Sequence, residues 1–105
     1  MAVPLGGESA PARRKPPPNA MNETTTPQVE DVLSEVVIGL AFAAHAYLEP
    51  AAEGAEADLG AAEIAIDAAG AVFDRVTSRL DDERRAMLSG VLADIRMTFV
   101  RKRGL

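Results

Sequence analysis

A single histidine, His45, stands in a chain of 105 residues that has no cysteine. A lone imidazole can sense pH, carry a proton or serve as one metal ligand, and the last two uses need partners. Its nearest candidates are Glu49, one helical turn on, and Asp94, far along the chain. Glu63, Asp67 and Asp74 recur at spacings of four and seven, which puts three carboxylates on one helix face. Paired carboxylates can share a proton or hold a divalent ion, but no acid is foreseeable opposite them on another helix. A solvated face is the simpler reading. Asp81-Asp82-Glu83 lacks the alternating oxygen ligands of a calcium loop and reads as a helix cap. Ser78 and Ser89 have no base but His45, so no triad can be assembled. There is no glycine-rich phosphate loop and no dinucleotide fingerprint. No nucleophile, base and stabiliser can be named together, so the expectation is a protein that is not an enzyme and takes no cofactor.

One stretch gathers more polar chemistry than the rest: Asp94-Ile95-Arg96-Met97-Thr98-Phe99-Val100. Ile95 and Phe99 are four apart and belong to a core face, while Asp94 can pair with Arg101 and Arg96 with the acidic face of the second helix. His45, Asp94, Arg96, Phe99 and Arg101 are therefore the candidate binding or capping residues. Arg96, Arg101, Lys102 and Arg103 make a small basic end, an alternative site for an anionic partner, on a body with a formal charge of -5. The overall balance disfavours general nucleic-acid binding, and the basic end lacks the interleaved aromatics of a base-stacking surface.

The elements that would position these groups are helices. Residues 1–25 hold five of the seven prolines and read as a disordered proline-rich tail, with residues 26–105 as one helical domain. Met21 offers a second plausible translation start. Helix one is expected from Thr25 or Thr26, with Pro27 in its first turn and a Thr25/Gln28 capping box. Its apolar positions are Val29, Val32, Leu33, Val36, Val37, Leu40, Ala44, Tyr47 and Leu48, and Pro50 ends it. Asp58 caps helix two, whose heptad sets are Leu59, Ile66, Phe73 and Leu80 against Ala62, Ala69 and Val76. Val76 and Thr77 weaken its last turn ahead of Leu80. Asp81 or Asp82 caps helix three, whose stripe reads Met87, Leu88, Val91, Leu92, Ile95 and Phe99. The fold class is all-α, a small bundle of about three helices with short connections.

Alanine supplies much of the 48% hydrophobic fraction, aromatics are 4% and there is no Trp. Alanine buries little area, so a single copy of this bundle would be marginal and association could complete it. Gly39 and Ala43, together with Leu59, Ala62, Ile66, Ala69 and Phe73, are the candidate interface. The absence of cysteine fits a reducing cytoplasm. The most apolar run, Val36 to Ala46, is short of the ~20 residues that span a bilayer, so no membrane span is expected.

Several segments also resemble a known family. Ala44-His45-Ala46-Tyr47-Leu48-Glu49-Pro50, Asp58-Leu59, Ile66-Asp67, Leu80 and the Asp94–Val100 run follow in an order similar to that of the small bacterial family called domain of unknown function 1844. The resemblance extends from about residue 29 to about residue 100. Three features depart from it. Ala68, Ala69, Gly70 and Ala71 stand where the family has leucines and a methionine. Asp82-Glu83-Arg84-Arg85 replaces a more acidic helix start, and Thr98 replaces the second arginine of the terminal run. The resemblance, to a bacterial family, implies a small helical architecture and carries no activity. The functional expectation is a helical association module that pairs with itself or with a larger cytoplasmic protein. The alternative class is a small-ligand or metal-responsive regulator using His45 and nearby acids.

Overall fold

The computed structural model describes residues 26–104. The expected tail over residues 1–25, the Thr25 cap included, lies outside them. Three helices follow in order: α1 over Val29–Leu48, α2 over Leu59–Val76 and α3 over Asp82–Arg103, with a 3-10 turn at Thr77–Arg79 before α3. The fold is all-helical.

α1 begins later than expected. Gln28 occupies the N-cap without a side-chain hydrogen bond, and Thr26 and Pro27 precede the helix. Its first-turn acids are held by arginines from the chain leading into and opening α3. Arg84 Nη1 donates to Asp31 Oδ1 at 2.7 Å, and Arg79 Nε to Glu30 Oε1 at 3.4 Å. The hydrogen bond to Asp31 is the main reason the Arg84 guanidinium holds its proton more firmly than usual. At the other end Lys102 Nζ lies 3.6 Å from Glu49 Oε2. With both ends so tied, α1 and α3 run in the same direction and α2 returns between them.

The caps of α2 and α3 fall where the sequence puts them. Asp58 Oδ1 accepts from the Ala61 N–H at 3.0 Å, and Asp81 Oδ1 from the Arg84 N–H at 2.7 Å. Each satisfies a donor that the first helical turn leaves without an intrahelical partner. The Asp58 N–H donates to the Tyr47 carbonyl at 2.9 Å, which closes the α1–α2 connection. Gly104 ends α3 at a φ of 85°, a left-handed conformation that glycine adopts without strain. Arg85 fastens the turn before α3: its guanidinium donates to the Thr77 and Leu80 carbonyls at 3.2 and 2.6 Å and to Asp82 at 2.8 Å.

The core forms two clusters, with Leu40 packed against both. One is built mainly of alanines, Ala41 and Ala44 on α1 against Ala62 and Ala65 on α2, with Leu48, Ile66 and Ile95 around them. The other is bulkier and joins Val37, Ala69, Val76, Leu80, Leu88 and Leu92. Leu80 lies beyond α2 yet remains buried. Small side chains on both helices let backbones approach, and α1 makes its most extensive contact with α2.

Two expected stripes need correction. Met87 is exposed, and the fourth buried position of α3 is Thr98, whose hydroxyl donates to the Asp94 carbonyl at 3.1 Å. On α1 the buried line is Ser34, Val37, Ala41, Ala44 and Leu48, while Val29, Val32, Val36 and Tyr47 are exposed. Ser34 fits the interior because its hydroxyl donates to the Glu30 carbonyl at 2.6 Å. α1 is apolar around most of its circumference, so periodicity alone could not choose the face that meets α2 and α3.

Candidate functional site

The expected interface residues divide between inside and outside. Ala62, Ile66 and Ala69 are buried within the single chain, and Leu59 and Phe73 are half-buried against the same clusters. Within the single chain, α1 and α3 cover this face of α2. Gly39 is exposed and Ala43 half-buried, both on the outer side of α1.

That outer side is where apolar surface collects. Six of the ten large apolar side chains exposed among the described residues lie on α1: Val29, Val32, Val36, Ile38, Phe42 and Tyr47. Phe42 is 77% exposed. Ile38 and Phe42 line a groove of about 350 Å³ with Val91 and Asp94 of α3, and His45 closes its end. A second groove of about 320 Å³ runs between Ala43 and Tyr47 of α1 and Ala61, Ile64 and Ala68 of α2. Both grooves are open channels rather than enclosed cavities.

A Cβ built on Gly39 would meet nothing within 4 Å, so no contact within the chain calls for glycine there. Gly39→Ala should therefore raise the stability of a single chain by about 1 kcal/mol, the propensity difference at a helix interior. Thermal melts at the lowest workable concentration test this; an unchanged or lower Tm would mean that Gly39 has a contact the single chain lacks.

His45 Nε2 lies 3.1 Å from Glu49 Oε1, and both side chains are about half exposed. His45 also lines the α1–α3 groove together with Asp94, while Glu49 is not among the residues that line it. Among the described residues no group of three or more His, Cys, Asp or Glu side chains is placed to hold a metal ion. Glu63 and Asp67 line a smaller groove with Arg96 and Phe99, whereas Asp74 faces solvent.

The Asp94–Val100 run is mostly a docking strip. Ile95 and Thr98 are buried, Phe99 is half-buried and Arg96 lies across Gly70. A Cβ on Gly70 would stand 2.6 Å from Arg96 Nη2, so glycine makes room for the guanidinium. Neither expected ion pair forms among the described residues. Arg101 turns back to Thr98 Oγ1 at 3.3 Å instead of meeting Asp94, and Arg96 rests on the α2 backbone without pairing with Glu63 or Asp67. Arg103 stacks over Phe99, 5.5 Å from the ring centroid. The basic end is thus partly occupied by its own chain.

α1 as formed is longer than the eleven-residue run that stands out in sequence. Its 20 residues, with a mean hydropathy of 1.4 in the most apolar window, are long and apolar enough to cross a membrane by length and composition. In the fold, one face of the helix packs against α2 and α3.

These features define a small three-helix domain with an apolar outer helix. Comparison with protein-family models, curated proteins and solved structures finds no match for this chain. The likeness to the domain of unknown function 1844 rests on the sequence segments alone.

Proposed function

We propose that the chain is a non-enzymatic helical association module whose working surface is the outer side of α1. Phe42 carries this reading. An aromatic ring 77% exposed at the middle of a helix, with Ile38 beside it, loses hydration cost only when another apolar surface covers it. A second copy or a larger cytoplasmic protein would supply that surface. Light scattering on the full chain from high to low micromolar, with helicity recorded at each point, tests the proposal. The expected result is a mass above that of one chain that falls on dilution. A helical monomer at every concentration that also fails to bind a hydrophobic dye would defeat it.

A second reading is favoured by the His45–Glu49 contact beside a groove that His45 and Asp94 both line. Their end of the α1–α3 groove is polar on an apolar floor, a combination that suits a small ligand with a cationic or hydrogen-bonding group. Proton-NMR shifts confined to the His45 ring on titration with a ligand panel would support this regulator. Silence across the panel would end it.

A further inference from the structure

Four exposed residues, Glu35, Ile38, Phe42 and His45, follow one another on α1 at spacings of three, four and three. That spacing makes them a single seam along the helix, about 100° around from the buried line and beside the α1–α3 groove. The order is acid, aliphatic, aromatic, imidazole. Reversed and laid against itself, it matches: a two-fold axis crossing the seam at the height of residue 40 sets Ile38 against Phe42 of a second copy and Glu35 against His45 of that copy. A parallel arrangement would instead place Glu35 opposite Glu35 and stack like on like. We infer that α1 pairs antiparallel with α1 of a second copy through this seam, two Ile38–Phe42 contacts at the centre flanked by two Glu35–His45 contacts. This rests on the association reading and specifies its partner.

Charge complementarity selects the second copy over other cover. Around His45 stand Glu49 on its own helix, 3.1 Å away, and Asp94 from α3 across the groove. Glu49 is also held by Lys102, which offsets its charge, and the His45 side chain stays about half exposed and so accessible to a carboxylate of another copy. An isologous pair satisfies both seam ends at once, because each helix brings the acid and the imidazole that the other needs. A bilayer would leave Glu35 and His45 at the ends of an apolar strip with no counter-group, and the formal charge of -5 disfavours an anionic lipid surface.

Sedimentation equilibrium on the full chain supplies the test. Phe42→Asp should raise the dimer dissociation constant at least about 30-fold while helicity is kept, because the ring makes little contact within its own chain. Glu35→Lys and His45→Glu should each weaken the dimer about 10-fold, and the double exchange should return it to within about threefold of the parent, since the reversed pair is again complementary. Additive weakening in the double variant, with Phe42→Asp still disruptive, would overturn the antiparallel register and leave association standing. A parent chain that stays monomeric throughout overturns the second copy as occupant and leaves the association reading to a larger partner. Binding of the parent monomer to neutral phosphatidylcholine vesicles, lost in Phe42→Asp, would show that lipid covers the seam and overturn the second copy as occupant.

Discussion

Leu88→Ala should lower the unfolding free energy by roughly 2–5 kcal/mol, the range for a fully enclosed leucine. Leu88 has no solvent exposure and packs in the bulkier cluster with Val37, Ala69, Val76, Leu80 and Leu92. The loss has two parts: the transfer free energy of the deleted carbons, and the cavity they leave among neighbours from all three helices. The alanine-rich cluster at the other end has few long side chains with which to compensate. A loss of this size is a large fraction of the total stability of a small domain, so the variant should be partly unfolded at room temperature. Urea unfolding followed by circular dichroism measures it. A drop below about 1 kcal/mol would mean that the three helices close around the gap, and that this cluster is not the main source of cohesion.

Ala62→Leu should destabilise the fold by about 1–3 kcal/mol through the opposite fault. Ala62 is wholly buried where α2 meets the alanines of α1, Ala41 and Ala44. Three added carbons have no void to enter, so they must push the two backbones apart and loosen neighbours such as Leu48 and Ile66. The outcome separates two views of the α2 heptad. If Ala62 faced another chain, the substitution would change the mass of the assembly and leave the melting of a single chain nearly untouched. In the fold described here it should lower the unfolding midpoint at any concentration. Thermal melts over a wide dilution series give the answer, and an unchanged midpoint would return Ala62 to the surface.

The sequence by itself determined the number of helices, their order and most of their ends. Those properties follow from local chemistry: a short acid at Asp58 and Asp81 accepts the first free N–H groups, Pro50 cannot continue α1, and Gly104 takes a left-handed φ at the close of α3. The buried half of α2 was also legible, because its large and small residues alternate over three heptads with charge on the other side. Whether that seam lies inside the chain or between chains was not legible, since a heptad seam looks the same whether its cover is another part of the chain or another molecule.

Only the tertiary structure decided which face of α1 is covered. Val29, Val32, Val36, Ile38, Phe42 and Tyr47 carry as strong an apolar signal as Val37 and Leu48, so hydrophobicity could not rank them. The choice came from the alanines of α1 and α2, where small side chains let two backbones approach, and from Arg79, Arg84 and Lys102, which pin the ends of α1 to the other helices. Ser34 and Thr98 were missed as interior residues because their polarity hides a local remedy, a hydroxyl bonded to the carbonyl four residues earlier. Asp94 and Arg96 were given ion-pair partners that they do not take, because pairing depends on side-chain direction and sequence spacing supplies only proximity. Burial is a property of what stands opposite, and a helix that is apolar nearly all round acquires an inside and an outside only when its neighbours arrive.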